Sequence, residues 1–147
     1  MEEIERKLEA YKQTDERCAR LLKVPGVGLL TATAIVASVG DAKEFRSGRE
    51  FAAWLGLVPR QTGTGGRVRL LGISKRGSSY LRALLVHCGR AVVGRQKKHS
   101  AWLEQLLARR HWNVVVVAQA NKIARTMWAI LAKGRTYDEH YISAQVA

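Results

Sequence analysis

The sequence predicts a mostly α-helical, compact domain with a long basic glycine-rich loop and an N-terminal helical arm. Three observations predict it. Apolar residues recur at three- and four-residue spacing through most of the 147-residue chain. Helix caps and stops fall at the ends of those patterns, among them Gly40, Ser47, Ser78, Ser100 and Gly134. One short stretch inside the loop, "RVRLL" from Arg67 to Leu71, reads locally as strand, and one strand alone is not stable.

Residues 2–22 read as one helix. Ile4, Leu8, Tyr11, Cys18 and Leu22 form a narrow apolar stripe among charges, broken at Asp15. Such a stripe suits an arm or a coiled-coil end better than a core helix. The main helical domain is therefore placed over residues 23–136, with a tail at 137–147. A first apolar helix stops at Pro25, because proline disfavours helix at the preceding residue. Gly26 and Gly28 make a tight turn. A second small apolar helix runs from Leu29 to Val39 and stops at Gly40. Ser47-Gly48-Arg49-Glu50 reads as a capping box that opens a short helix through Leu55. After the loop, helix resumes near Ser78 and continues to Gly94, with Leu81, Leu84, Leu85, Cys88 and Val92 as its core face. Ser100 caps a short helix to Arg109. Asn113 opens the last long helix, which ends at Gly134. Val114 to Val117 favour strand locally, but the pattern through Ile123, Met127, Ile130 and Leu131 favours helix.

Charge points to a partner class. Lys and Arg number 25 against 12 Asp and Glu, a net charge of +13. Residues 1–20 nearly balance, with six acids against five bases. From Phe51 to Leu103 there is no acid at all, against ten Lys or Arg. Such segregation predicts a positive surface for a polyanion, most simply nucleic acid. A generally basic, solvated surface is the plainer alternative. No apolar run of about 18 residues is present, so the sequence predicts no membrane span. The N-terminus lacks the apolar region of a signal peptide. Cys18 and Cys88 are too few for a disulfide framework and read as buried thiols, which fits a cytoplasmic chain.

Two constellations could carry function. Val24-Pro25-Gly26-Val27-Gly28, with Ala32 four residues on, resembles the helix-hairpin-helix module of DNA-binding proteins. Glycines let backbone approach a phosphate, and the second helix offers free N–H groups at its positive end. A plain turn between core helices is the bland alternative, and Lys23 is the only cation nearby. The second is the loop from Pro59 to Gly77, with five glycines, five cations and no acid. Arg60, Arg67, Arg69, Lys75 and Arg76 supply charge that can track a phosphate chain, and Arg82 follows in the next helix. Gly63, Gly65 and Gly66 allow left-handed turns. A Walker loop is excluded, because its Gly-Lys-Ser/Thr ending is missing. A disordered basic loop is the alternative.

Catalytic sets are otherwise poor. Asp41, Glu44, Glu50 and Glu104 are scattered, with no triplet suited to metal. His87, His99, His111 and His140 do not match zinc-ligand spacing. His87 beside Cys88 reads as helical packing, because adjacent helical residues point apart. The tryptophans at 54, 102, 112 and 128 sit in apolar surroundings that favour core or interface roles.

Four stretches in one order complete the reading: "VPGVGLLTATAIVASVGD", "FAAWLGLVPRQ…GG", "LLGISKRGSSYLRALLVHCGRAVV" and "ANKIARTMWAILAKG". Together they resemble the C-terminal half of the insertion-sequence transposases whose target choice is guided by a bridge RNA. The resemblance covers Leu21 to Gly134. It implies a C-terminal helical domain with a serine that attacks DNA, partnered by an N-terminal RuvC-like domain whose acids bind divalent metal such as Mg, absent from this sequence. It implies DNA as partner, guide RNA as a further partner, a prokaryotic cytoplasm, and a homo-oligomer formed through the N-terminal helix. No cofactor is expected in this chain itself. One departure bears on chemistry. Where the family's loop holds Ser-Ser-Gly-Gly or Ser-Thr-Gly-Gly, this chain reads Gly63-Thr64-Gly65-Gly66. Thr64 is thus the candidate nucleophile, at or next to the serine position, and its chemistry is expected to be impaired. A stand-alone helix-hairpin-helix binding module and a structural oligomerisation domain are the competing readings.

Overall fold

The chain adopts the expected mostly α fold. The computed structural model describes residues 1–64 and 66–139, without the side chains at 61, 62, 64 and 68–70. Among the described residues there are seven α-helices, one 3-10 turn and a two-stranded hairpin.

The single N-terminal helix expected over 2–22 is two. α1 covers Glu2–Thr14 and α2 covers Glu16–Leu21. The break is Asp15. Its backbone is extended, and its carboxylate accepts from the Arg17 amide at 3.0 Å. Arg17 Nη2 holds the other carboxylate oxygen at 2.9 Å. An aspartate that merely interrupts a stripe in sequence is therefore the N-cap of a second helix. No residue of α1 is buried, whereas Cys18 and Leu21 are fully buried. The core thus begins inside the stretch read as an arm.

α3 (Leu29–Val39) follows the glycine turn and ends at Gly40, as the sequence indicates. It buries Ala32, Ile35, Val36 and Val39. A 3-10 turn at Ala42–Glu44 leads to α4, Gly48–Trp54. Ser47 caps α4, accepting from the Glu50 amide at 3.2 Å. The return bond lands one residue early, since Glu50 Oε2 accepts from the amide of Arg46 at 3.0 Å.

The expected basic loop is a β-hairpin. β1 covers Pro59–Thr64 and pairs antiparallel with β2, Arg67–Ile73. "RVRLL" is indeed strand. Its partner is "PRQTGT", whose proline and glycine make it read as loop in isolation.

α5 (Ser79–Arg95) and α7 (Trp112–Lys133) form the centre. They touch at Gly89, where any side chain would strike the Val116 carbonyl and Ala120. α5 buries Leu81, Leu85, Cys88 and Val92 as expected. Leu84 is only part-buried, and Val93 joins the buried face instead. Ser100 caps α6, Ala101–Arg109, through the Leu103 amide at 3.2 Å. α7 begins one residue before Asn113, and its cap is His111, whose Nδ1 accepts from the Asn113 amide at 3.2 Å. Val115 and Val116 are buried in α7, so packing overrides their strand preference. Among the described residues α7 alone is long and apolar enough to cross a membrane, but its Val115, Ile123, Met127 and Ile130 fill the core.

Candidate nucleic-acid interface

The hairpin is rooted between α4 and α5. The Ser74 amide donates to the Val58 carbonyl at 2.9 Å, and the Lys75 amide to the Gly56 carbonyl at 3.1 Å. Arg82, in the first turn of α5, donates through Nη1 to the carbonyls of Arg76 at 3.1 Å and Leu55 at 3.4 Å. Gly56 and Gly77 close the clasp, with φ of +76° and +81°. A Cβ on Gly56 would meet the Arg76 backbone, and one on Gly77 would meet the Trp54 carbonyl oxygen. Both positions therefore exclude side chains twice over, by conformation and by space. Arg82, expected to contact nucleic acid, spends its guanidinium nitrogen on this clasp. These two bonds tie the first turn of α5 to both ends of the hairpin base. Sequence reading missed the Gly56–Gly77 pairing, because nothing local links residues so far apart.

The hairpin presents cations without acids. Arg60, Arg67, Lys75 and Arg76 are all exposed. None of the four has an ion-pair partner among the described residues. Arg60 lies at the register irregularity between Pro59 and Gln61, where it faces two residues of β2, Leu71 and Gly72, so the extra residue is on β2. Lys75 has a positive φ of 56°, which its amide bond to Gly56 helps to hold. Thr64 pairs with Arg67 and so stands at the tip, beside Gly66 with φ +83°. Thr62 pairs with Arg69. The side chains of Thr64 and Arg69 lie outside the described residues, as does Gly65.

The other glycine segment is built differently. Gly26 has φ +86°, and a Cβ there would sit 2.6 Å from the Cys88 carbonyl oxygen and 2.7 Å from Val92 Cγ2. It is a packing glycine, set against α5. Gly28 has φ −95° and open space around its Cβ position. The conformational demand expected of both glycines thus falls on Gly26 alone. Gly28 is the N-cap of α3 and offers no side-chain cap, so the first amides of α3 lack that partner. Glu5 and Glu9 of α1 line a cleft with Leu29 and Leu30 at this helix start. Arg6 lines the same cleft, so two acids face one cation there, and Lys23 is exposed just before the turn.

The profile of the Transposase IS116/IS110/IS902 family matches residues 18–105, beginning at the residue where burial begins. The chain belongs to this transposase family. It is 54% identical over 138 residues to the "Probable family 20 transposase" of Pseudomonas aeruginosa, covering 91% of this chain and 41% of that protein. It is 44% identical over 143 residues to the transposase for insertion sequence element IS1328 of Yersinia enterocolitica, covering 95% and 43%. Identity is 46% over 137 residues to the transposase for insertion sequence element IS1111A of Coxiella burnetii, covering 90% and 38%. The chain thus spans well under half the length of each of these relatives.

The remaining chemistry of this transposase chain is muted. Cys18 and Cys88 are free and buried, and burial pushes both thiols up from their ordinary value. Cys88 Sγ lies 3.6 Å from Thr31 Oγ1, and His87 is exposed, so the two neighbours do not act together. Among the described residues no group of three or more His, Cys, Asp or Glu could hold a metal ion. Trp128 ties its indole N–H to the Ala42 and Phe45 carbonyls, both at 3.2 Å. Trp54, Trp102 and Trp112 stay partly exposed, and Lys122 lies 4.4 Å over the Trp102 ring.

Proposed function

We propose that this chain is the C-terminal, nucleic-acid-binding and strand-exchange part of an insertion-sequence transposase, and that its β-hairpin holds DNA backbone. The observation that carries this reading is an acid-free, cationic hairpin hydrogen-bonded at its base to the helical body. A loosely tethered basic loop would lose conformational entropy on binding; a hairpin clasped at Gly56 and Gly77 has already lost most of it. Arg60, Arg67, Arg69, Lys75 and Arg76 neutralise phosphates, and Arg82 positions them. Such contacts give affinity and orientation without reading sequence. The Gly26–Gly28 turn acts as a helix-hairpin-helix that adds a weaker backbone contact through the α3 amides.

Thr64 stands at or next to the serine place. For it to act, its hydroxyl oxygen must bond to a DNA phosphorus, the bond from phosphorus to the leaving deoxyribose oxygen must break, and the hydroxyl proton must pass to a base. Its unaided hydroxyl is a weak nucleophile. The extra methyl of threonine crowds an in-line attack, and a misplacement of about 1 Å can cost roughly a hundredfold. In this proposal the chain alone neither cleaves nor rejoins DNA. A RuvC-like partner domain with its metal, a guide RNA, and self-association through α1 complete the active enzyme.

Two measurements test the reading. Fluorescence anisotropy with a labelled duplex of arbitrary sequence should show binding at low salt, falling on the order of a thousandfold between 50 and 200 mM salt for about six phosphate contacts. Absence of binding at low salt overturns the reading. Trapping of covalent protein–DNA adducts should give none with the unmodified chain. An adduct from that chain, abolished by Thr64→Ala, would make Thr64 a working nucleophile and contradict the inactive state proposed.

A further inference from the structure

The far end of α5 gathers a second group of cations. His99 folds the chain after α5 back onto that end, with Nε2 at 3.0 Å from the Val93 carbonyl oxygen. The start of α7 lies beside it, where a Cβ on Gly94 would sit 3.3 Å from Trp112 Cη2. Arg95, Lys97 and Lys98 end or follow α5, and Arg109 and Arg110 precede the start of α7, so both groups belong to the end of the α5–α7 pair away from the hairpin, separated by the nine residues of α6, about 14 Å. All five are exposed, and none has an ion-pair partner among the described residues. Glu104 is the only acid from Phe51 to Tyr137. Each cation ends or follows a helix, and a single cation there gains from the helix dipole. Five together repel one another, so an external anion lowers the energy of the whole group.

This end lies opposite the hairpin. The hairpin joins the N-terminal end of α5, and α5 has 17 residues, about 25 Å of helix. The stripe that connects the two ends is Tyr80, Ala83, His87 and Arg90, at three- and four-residue steps along one face. All four are exposed and none is acidic. At 3.4 Å per base pair, 25 Å corresponds to about seven base pairs of duplex.

Resting on the reading of this chain as a DNA-binding one, we propose that the Arg95–Lys98 and Arg109–Arg110 cluster is a second phosphate anchor. One DNA duplex runs from the hairpin along the outer face of α5 to reach it. A duplex fits better than a single strand. Single-strand grooves supply successive aromatic platforms, and this stripe carries only Tyr80 and the imidazole of His87, seven residues and about 10 Å apart along the helix, too far for successive bases.

The test is a duplex-length series read by anisotropy at fixed salt. The unmodified chain is compared with the quadruple variant Lys97→Ala/Lys98→Ala/Arg109→Ala/Arg110→Ala. These side chains are exposed, and an unchanged melting temperature confirms that the fold is kept. Affinity per site should rise at least tenfold between duplexes of about 6 and about 14 base pairs, since only the longer spans both ends. The quadruple variant should lose that rise yet bind the short duplex as the unmodified chain does. The salt slope on the long duplex should fall by about 3 to 4 in the variant. Equal length dependence in both proteins overturns the proposal. So does binding of two duplexes of about 14 base pairs per chain, which would mean that no single duplex spans both ends. Failure of the DNA-binding reading itself looks different: neither protein binds a duplex of any length.

Discussion

Residues 24–28 and residues 56–77 are both glycine-rich, and they use their glycines in opposite ways. In the first segment Gly26 turns inward and lets the chain lie against the Cys88 carbonyl. In the second, Gly56 and Gly77 lock only the base, and the tip with Gly66 stays open. Charge follows the same division. Glu5 and Glu9 outnumber Arg6 in the cleft at the start of α3, with Lys23 the one cation in the turn's own sequence, while the hairpin carries five cations and no acid. The lesson is that glycine density marks close approach of backbone. Surrounding charge tells whether the approaching group belongs to the protein or to a ligand.

The largest expected effect separates the two segments by binding. Arg60→Glu with Arg67→Glu should weaken DNA binding on the order of a hundredfold at low salt, because two attractive contacts become repulsive. Lys23→Glu should change it only slightly. Comparable losses would make the glycine turn an equal partner in binding.

Stability should separate them in the other direction. Gly26→Val forces a side chain into positive φ and into α5, at a cost of about 3 kcal/mol from strain and overpacking together. Gly28→Val should cost under about 1 kcal/mol, since its φ is ordinary and its surroundings are open. Denaturant melts of the two variants check this. Equal destabilisation would show that the turn is tighter than described.

Gly77→Ala tests the clasp. It should cost about 2 kcal/mol and also weaken DNA binding, although it removes no cation. If binding is unchanged, the hairpin needs no rigid base.

The smallest effect concerns Cys88, which lies beneath the inner turn. Burial is the main cause of its raised pKa. A raised folded value means that the stability it contributes is present below the ordinary value of 9.0 and is lost as pH rises through the folded value. A slight loss of stability above pH 9.0 should follow, and Cys88→Ser should reduce it. Thiol reagents should react slowly with the unmodified chain and faster with Gly26→Val.

Much of the fold was legible because its signals are local. α3, α4, α5 and α6 were readable from periodicity and from caps such as Ser47, Ser78 and Ser100. What escaped is non-local. β1 was hidden because Pro59 and Gly63 have low strand preference and mask that of Thr62 and Thr64, and pairing with β2 makes the segment strand. Asp15 read as a broken stripe, because its capping bond depends on the backbone turning there. Cys18 and Leu21 looked like arm residues, yet both are fully buried. Removing residues 2–14 should therefore leave the fold intact, and extending the deletion through Leu22 should destroy it. Of the candidate site, the cations of the hairpin were legible from composition alone. The clasping role of Arg82 was not, because its partners Leu55 and Arg76 are joined only by the fold.

The central claim is that the hairpin cations neutralise DNA phosphates. The slope of log binding constant against log salt measures this directly, comparing the unmodified chain with Arg60→Ala/Arg67→Ala. Each phosphate contact contributes about 0.9 to the slope, so the double variant should be shallower by about 1.8. An unchanged slope, with affinity also unchanged, would contradict the account and place the DNA elsewhere on the molecule.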